Sequence, residues 1–292
     1  MNSTKVRPPF EIKPYNFAFL DEGSKREIRR KSLKAVAIPG YQVPFASREL
    51  PIGRGWGTGG LQLTLSLVGL DDCLKVIDQG SDDSVNAVSI RKLAEKTCGI
   101  KTTTDTVEAS VIQSRHRIPE ERLRSDQILV LQVPQPEPLR KVEKMETATR
   151  RMHAEKDYSS IWLSLYENIV KWGGITHGAD YPAMVEDRYI MAPSPIPRWD
   201  MPKLNDADHL TLLGAGREKK IYAVPPYTRV IPLQFDDYPF EIERFEGKAC
   251  SRCGSRDTFL DEVTGDQGEL TYQCSDTAYC EKQMLQSNGP SF

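Results

Sequence analysis

The sequence lacks the long hydrophobic run that a membrane-spanning helix requires. Its most apolar stretches are Leu61–Gly69 and Ile128–Val133, and both are far shorter than the roughly 20 residues that cross a bilayer. The first 14 residues contain no apolar segment of the kind found in secretory signals. These absences argue against a membrane protein and a secreted protein, and they predict a cytoplasmic location.

The chain also lacks a surplus of charge of one sign. It contains 39 lysine and arginine residues and 41 aspartate and glutamate residues, which gives a net charge of −2. Proteins that bind nucleic acid through its phosphates usually carry a basic surplus, so the composition does not indicate nucleic-acid binding. A chain of 292 residues is long enough for about two structural units and for a core that needs no disulfide bonds.

Cysteine is scarce, but its distribution is uneven. Of six cysteines, four lie after residue 249: Cys250, Cys253, Cys274 and Cys280. A disulfide framework would spread its cysteines through a short secreted chain, whereas a cluster in a reducing compartment indicates metal ligation or thiol chemistry. The other two, Cys73 and Cys98, are predicted to be buried as small apolar residues.

Hydrophobic periodicity predicts an α/β core. A capping box with Ser24 as the N-cap and Glu27 predicts a helix that runs to about Ile38, and a second helix is predicted over Ser84–Thr97. We expect Val85, Val88, Ile90 and Leu93 to face the core from that helix. Strands are predicted where apolar residues alternate with polar ones or form short runs; they are Leu61–Leu67, Cys73–Gly80, Ala109–Gln113 and Ile128–Val133. Such an interspersed order predicts a mixed sheet with flanking helices.

Two proline clusters, at residues 134–138 and 193–202, divide the chain. Between them, Lys141–Trp172 is predicted to be helical, and after them Leu210–Pro232 returns to a core-like pattern. The predicted units are a flexible extension, an α/β core in two pieces, a helical insertion and a cysteine-rich module. Their bounds are residues 1–14, residues 15–134 with 203–246, residues 135–202, and residues 247–292.

The cysteine-rich module is predicted to be a zinc-ribbon-like hairpin. Strands over Phe259–Val263 and Glu269–Gln273 flank a glycine-containing turn and would bring Cys274 and Cys280 to the CxxC of Cys250 and Cys253. In one interpretation all four cysteines bind zinc, and the chain is a non-catalytic scaffold or binding subunit. In the other, Cys280 is a thiol beside a cluster, because five residues separate it from Cys274 where a ribbon usually has two.

Two further segments are candidates for binding phosphate. Gly57, Thr58 and Gly59 lie in a glycine-rich loop whose backbone N–H groups could contact an anion, although the loop lacks the lysine of a P-loop and a plain turn is the alternative. Arg115 and His116 end a predicted strand and suit phosphate. The alternative there is a solvated strand end, and this alternative is favoured for Arg117.

Several motifs together resemble the catalytic J-subunit family of bacterial carbon–phosphorus lyase. They are Tyr15–Ala18, Ala35–Phe45, Gly55–Gly60, Lys75–Gly80, Arg115–Glu120, Gly214–Lys219 and Cys274–Thr277. The resemblance covers nearly the whole chain beyond the N-terminal extension. The chain departs from the family pattern between Cys253 and Cys274, where the gap is one residue shorter, at a hairpin tip that tolerates deletions.

The resemblance implies a radical S-adenosylmethionine (SAM) enzyme. Cys250, Cys253 and Cys274 match the family's ligands of a four-iron, four-sulfur (4Fe–4S) cluster, Cys280 its thiyl-radical residue and Gly40 its glycyl-radical residue. From the sequence alone, Gly40 could equally be a turn glycine that ends a helix. Aerobic purification could leave zinc in place of the cluster, with Cys280 as a fourth ligand.

The reaction implied by the resemblance begins with cleavage of SAM and passes through radicals at Gly40 and then Cys280. The thiyl radical attacks phosphorus in a ribose 1-alkylphosphonate 5-phosphate, which yields an alkane and 5-phosphoribosyl 1,2-cyclic phosphate. The implied partners are the G, H and I subunits of the core complex and an ATP-binding-cassette subunit. Neither nucleic acid nor a membrane is expected.

Overall fold

The structure is a computed structural model of the chain. It describes residues 20–46, 58–78, 80–115, 117–133, 183–186, 188–191, 200–215, 219–232 and 245–287. The predicted extension over residues 1–14 and the predicted helix Lys141–Trp172 lie outside these ranges. No helix among the described residues is long and apolar enough to cross a membrane.

A seven-stranded mixed sheet forms the centre of the fold, with the strand order β1-β9-β8-β5-β4-β2-β3. The strands β3, β2, β4, β5 and β8 run parallel. At the other edge β9 is antiparallel to both β8 and β1, so β1 runs in the same direction as the parallel strands. The strands are β1 (Val43–Pro44), β2 (Cys73–Asp78), β3 (Lys101–Thr103), β4 (Val111–Arg115), β5 (Ile128–Val133), β8 (Leu210–Ala215) and β9 (Lys220–Val224). The predicted α/β class with a mixed sheet is therefore confirmed.

Four α-helices, one 3-10 helix and two small sheets complete the described elements. The helices α1 (Glu22–Ala37), α2 (Thr58–Leu67) and α3 (Val85–Cys98) cover one face of the large sheet, where Leu61, Val76 and Val130 are buried. A second core on the other face includes Ile112, Leu131 and Tyr222. The remaining elements are β6 (Ala183–Val185), β7 (Arg188–Met191), a 3-10 helix (Met201–Leu204), β10 (Val230–Pro232), β11 (Leu260–Thr264), β12 (Leu270–Cys274) and α4 (Thr277–Ser287).

Strand predictions succeeded where a strand is buried on both faces. Ile128–Val133 is β5 with the predicted bounds, Cys73–Gly80 contains β2, and Ala109–Gln113 overlaps β4 with a shift of two residues. The predicted C-terminal hairpin is also present, because β11 and β12 pair antiparallel from Leu260 with Cys274 to Thr264 with Leu270. The short apolar runs of β2, β4 and β5 are typical of strands that are buried on both faces.

The strand predicted over Leu61–Leu67 is wrong, because these residues belong to α2. The helix packs between α1 and the sheet strands β5 and β8, so its apolar and polar residues from Gly59 to Ser66 are all buried and Leu67 is partly buried. Ser66 meets its hydrogen-bonding requirement inside the helix, where its hydroxyl donates to the Gln62 carbonyl at 2.6 Å. A helix buried all round does not need a one-sided pattern, and the alternation was therefore misleading.

Two predictions about helix ends and faces are also wrong. The N-cap of α1 is Asp21 instead of Ser24, since the Asp21 carboxylate accepts the Ser24 N–H at 2.9 Å. Ser84 does cap α3 as expected, with its hydroxyl accepting the Ala87 N–H at 3.0 Å. Val85, however, is exposed in the first turn of α3 and contributes nothing to the core that Ile90 enters.

Candidate functional site

The four clustered cysteines meet at one point of the C-terminal module. Cys250 and Cys253 lie in the loop before β11, Cys274 ends β12, and Cys280 lies in the first turn of α4. Their sulfur atoms all lie within 4.8 Å of one another. The Sγ atoms of Cys250 and Cys280 are 3.6 Å apart, and those of Cys253 and Cys274 are 3.5 Å apart.

The backbone of the CxxC loop shapes this cluster. Gly254 has a φ of 76°, a conformation that a residue without Cβ adopts at little cost, and its N–H donates to the Cys250 carbonyl at 2.9 Å. The loop returns in this way so that the N–H groups of Cys253 and Cys274 point at the Cys250 sulfur, at 3.5 and 3.4 Å. Leu260, Phe245 and Met284 pack around the cysteines.

These hydrogen bonds favour the thiolate of Cys250. Burial disfavours its thiolate, but the N–H groups of Cys253 and Cys274 outweigh burial and lower its pKa to about 6. Burial and the neighbouring Cys250 raise the pKa of Cys280 to about 12, and burial also raises the pKa of Cys274. One negative charge opposes the formation of the next, so a cation is needed before all four sulfurs can ionise together.

Thiolate donors suit both metals that the sequence suggested, zinc and iron–sulfur. The two metals differ in the sulfur spacing that they require; in the folded chain two sulfur pairs lie at 3.5 and 3.6 Å, and all four sulfurs lie within 4.8 Å of one another. A tetrahedral ion about 2.3 Å from each sulfur places the sulfurs about 3.8 Å apart, which agrees with the observed pairs at 3.5 and 3.6 Å. A 4Fe–4S cluster binds each cysteine through a different iron and spaces the sulfurs more widely. As folded here, the site therefore fits a single ion, and a cluster requires the ligands to separate.

The cysteine module packs on the ends of β2 and β4. The guanidinium of Arg117 lies 3.3 Å from the ring centroid of Phe259, and its Nε donates to Ser275 at 3.2 Å. Gly80 has a φ of 81°, and a Cβ there would overlap the Ser275 hydroxyl. The Glu120 carboxylate accepts the Phe259 N–H at 3.2 Å. The prediction that Arg117 is a solvated strand-end residue is therefore wrong, because its side chain joins the core to the module.

Arg115 occupies the carboxyl end of β4, as expected for a strand-end residue. Its guanidinium pairs with Asp78 at the end of the neighbouring β2, with Nη2 at 3.1 Å from Oδ2. Two buried glutamines accompany it on the helix-covered face, Gln113 on β4 and Gln132 on β5. The Oε1 atom of Gln113 is buried without a hydrogen-bond partner. His116 lies outside the described residues.

The N-terminus of α2 lies at the same edge of the sheet. A Cβ on Gly60 would lie 2.9 Å from the Cβ of Gln132, and a Cβ on Gly214 would lie 2.7 Å from the Gly59 carbonyl oxygen. The first turn of the helix therefore rests on the carboxyl ends of β5 and β8. Since Ser114 pairs with Leu131, Arg115 is level with Gln132. The structure thus brings Gly59 and Arg115 to neighbouring strand ends, with Thr58 as the first residue of α2 and Gly57 outside the described residues.

The two glutamines were missed from the sequence. Nothing in their local sequence separates them from ordinary strand residues, and only the register of β4 with β5 and the packing of α2 place Gln113 and Gln132 on the helix-covered face near Arg115. A polar residue within an otherwise apolar buried strand was the available signal, because such a residue needs a hydrogen-bond partner.

Gly40 lies far from the cysteine cluster. It follows α1 with a φ of 74°, and its N–H donates to the Ala223 carbonyl of β9 at 3.2 Å. It therefore occupies the edge position of β1, four strand spacings from β4, or about 19 Å at about 4.8 Å per spacing. The cysteine module lies beyond β4, so the structure does not bring Gly40 and Cys280 together.

Other residues considered from the sequence do not extend the site. His209 is buried without a hydrogen-bond partner for Nε2, and burial lowers its pKa to about 4, so its imidazole is neutral. The four cysteines are the only potential metal-binding group in the described part of the chain. Cys73 and Cys98, expected to be buried, are each partly exposed.

The chain is similar to known proteins over most of its length. A family model described as "Phosphonate metabolism protein PhnJ" matches residues 13–286. The chain is 56% identical over 272 residues to the alpha-D-ribose 1-methylphosphonate 5-phosphate C-P-lyase of Rhizobium meliloti (strain 1021), which covers 93% of this chain and 91% of the relative. It is 55% identical over 275 residues to the corresponding C-P lyase of Escherichia coli (strain K12), covering 94% of this chain and 98% of that relative. The chain therefore belongs to the PhnJ family of phosphonate-metabolism proteins.

Proposed function

We propose that this chain is a carbon–phosphorus lyase of the radical SAM type that acts on ribose 1-alkylphosphonate 5-phosphates. The observation that carries the proposal is identity above half of all positions with two relatives named as C-P lyases, over more than nine-tenths of the chain. The four-cysteine site beside the strand end of Arg115 supports it. The alkane and 5-phosphoribosyl 1,2-cyclic phosphate are the proposed products.

The carboxyl ends of β4, β5 and β8 are the proposed substrate site. The substrate carries a phosphate and a phosphonate, and both groups accept hydrogen bonds from a guanidinium and from a helix N-terminus. Arg115 supplies the guanidinium, with Asp78 fixing its orientation. Gly57, Thr58 and Gly59 supply backbone donors at the start of α2, and His116 supplies a further donor. Binding at strand ends is usual for parallel α/β sheets.

The proposed chemistry assigns one role to each reactive residue. A 4Fe–4S cluster on Cys250, Cys253 and Cys274, when bound, would supply the electron that cleaves SAM. Gly40 gives up its Cα hydrogen to the deoxyadenosyl radical and then takes the thiol hydrogen of Cys280. The Cys280 sulfur radical bonds to phosphorus, the carbon–phosphorus bond breaks homolytically, and the alkyl radical takes the Cα hydrogen of Gly40 to become an alkane, which regenerates the glycyl radical. The ribose 2′-hydroxyl then displaces the Cys280 sulfur from phosphorus, which restores the thiol.

Hydrogen transfer from Cys280 to Gly40 requires the two residues to meet. Gly40 lies at the β1 edge of the large sheet and the cysteine module packs on the ends of β2 and β4, so the proposal includes a movement that brings the two residues together. The G, H and I subunits and an ATP-binding-cassette subunit are the proposed partners, and a cytoplasmic location stays a prediction.

A second candidate function is that of a zinc-binding scaffold subunit without radical chemistry. The sulfur spacing favours it, since the four sulfurs as placed fit one tetrahedral ion. In that case Cys280 is a fourth ligand, and the chain contributes structure to a larger enzyme.

Metal analysis after strictly anaerobic purification distinguishes the two functions. We expect about four irons and four sulfides per chain, together with release of deoxyadenosine from SAM when a strong reductant is added. Stoichiometric zinc with no iron, in protein that was never exposed to air and was supplied with iron and sulfide, would contradict the radical mechanism. Zinc after aerobic purification is no test, because a degraded cluster leaves the same thiolates for zinc.

Substitution of Gly40 tests its proposed role separately from that of the cysteines. Gly40→Ala should still cleave SAM but release no alkane, because the added methyl group hinders abstraction of the Cα hydrogen. Alanine in the left-handed backbone conformation of Gly40, with a φ of 74°, also lowers the free energy of unfolding by about 1 to 2 kcal/mol. Gly99→Ala is the matched control, since Gly99 ends α3 with a φ of 69° and has no proposed role. Normal alkane yield from Gly40→Ala would remove Gly40 from the mechanism.

A further inference from the structure

Asp276 lies between the helix that carries Cys280 and the loop that follows Arg115. We propose that Asp276 is a positioning residue that holds the Cys280 thiol in register with the substrate-binding end of β4. This inference rests on the proposed function, because it assumes that Cys280 reacts with a substrate bound at Arg115.

The hydrogen bonds of Asp276 reach both sides of the boundary between module and core. Its Oδ1 accepts the Tyr279 N–H in the first turn of α4, and its Oδ2 accepts the Glu120 N–H from the core, each at 3.0 Å. Its backbone carbonyl accepts the Cys280 N–H at 3.0 Å. One buried side chain, 4% exposed, therefore fixes the helix turn of Cys280 and its attachment to the core.

Capping alone does not explain an aspartate at this position. A serine or threonine caps a helix about as well as aspartate does, and burying a carboxylate is costly unless both oxygens are satisfied. Within the described residues no lysine or arginine forms an ion pair with Asp276, and two N–H groups take the place of a cation. A serine or threonine hydroxyl has no second oxygen. In Asp276 this second oxygen, Oδ2, accepts the Glu120 N–H of the core.

The loop that Asp276 contacts begins two residues after Arg115. Within residues 117–121, Arg117 contacts Phe259 and Ser275, Glu120 binds the Phe259 N–H, and Glu121 pairs with Lys282 of α4 at 2.6 Å. The loop thus connects the proposed phosphate-binding residues to the module along a short path. A shift of the β4 end is passed through Glu120 and Asp276 to the turn that holds Cys280.

Asp276→Ser separates the two hydrogen bonds of the carboxylate. The serine hydroxyl can still accept the Tyr279 N–H but is too short to reach Glu120 as well. We expect hydrogen–deuterium exchange to accelerate about tenfold or more at the Glu120 amide, since one hydrogen bond is lost, while the Tyr279 amide stays protected. Asp266→Ser, an exposed aspartate at the hairpin tip, is the control and should leave both amides unchanged. Unchanged protection of Glu120 in Asp276→Ser would overturn the proposal.

A second test measures activity, with the anaerobically assembled enzyme, SAM and ribose 1-methylphosphonate 5-phosphate. In Asp276→Ser we expect unchanged metal content and SAM cleavage, with the ratio of deoxyadenosine to methane rising by about tenfold or more, because small misplacements of a reacting group carry penalties of that order. A parallel fall of both products would indicate a structural role only and would overturn the positioning role, as would an unchanged ratio. A wild-type enzyme that releases no deoxyadenosine refutes the proposed function itself, which distinguishes that failure from a failure of the Asp276 proposal.

Discussion

Replacing Cys280 with alanine should abolish alkane release while SAM cleavage continues. The proposed cleavage of SAM depends on the other three cysteines and precedes any step at Cys280, whereas the bond to phosphorus requires the Cys280 sulfur. Deoxyadenosine and alkane measured in the same reaction by chromatography give both quantities. The effect on alkane is expected to be complete, because alanine offers no group that can bond to phosphorus and be displaced again.

Two results would contradict this assignment in different ways. Full alkane release by Cys280→Ala would return Cys280 to the role of a structural ligand. Loss of metal together with loss of SAM cleavage would indicate the same role, since Cys280 lies 3.6 Å from the Cys250 sulfur and within the four-sulfur group. Cys98→Ala is the matched control, because Cys98 is a partly exposed thiol in α3 and should leave both products unchanged.

Cys250→Ala should have the largest effect on metal binding. Its sulfur is one of the four candidate ligands and also accepts the N–H groups of Cys253 and Cys274, so alanine removes a ligand and leaves two donors without their acceptor. Loss of residues that merely orient a ligand typically costs 10- to 100-fold in metal affinity, so loss of a ligand should cost more than about 10-fold. Metal content by mass spectrometry and titration with a chelator measure this change.

The same substitution should also lower the stability of the module. Metal binding contributes directly to the folding free energy of small metal-binding modules, and only a few apolar residues pack around the cysteines. Thermal unfolding of Cys250→Ala should therefore match that of chelator-treated wild type, with Cys73→Ala as the control outside the module. Metal binding at wild-type affinity in Cys250→Ala would exclude Cys250 from the ligand set. Cys253→Ala and Cys274→Ala should behave in the same way.

The parts of the fold that could be predicted from the sequence are those with a local cause. β5 is a run of apolar residues buried on both faces, and the hairpin of β11 and β12 has a glycine-containing turn between two short strands. The cysteine cluster was accessible for the same reason, since the CxxC spacing by itself aims two sulfurs at one point. Each of these signals lies within a short continuous stretch of chain.

The parts that could not be predicted depend on contacts between distant residues. The alternating pattern of α2 is ambiguous until the sheet and α1 enclose it on all sides. Arg117 resembles any charged strand end until Phe259 and Ser275 are placed against it. The separation of Gly40 from Cys280 follows from strand order, and a single sequence does not contain strand order in any local motif.

The pairing of β5 with β8 has a consequence for how this chain can change. These strands are neighbours, with Ile128 opposite Leu210 and Val133 opposite Ala215, although a long segment separates them in sequence. The ends of that segment are fixed by the sheet, and doubling the length of a tethered loop costs only about 0.6 kcal/mol of closure entropy. Val185 and Leu204 of that segment are buried in the core, so insertions that keep their contacts cost the sheet little. Elsewhere between Val133 and Leu210, this connection is a position at which the chain can acquire new surface in evolution without disturbing the strand ends of the candidate site.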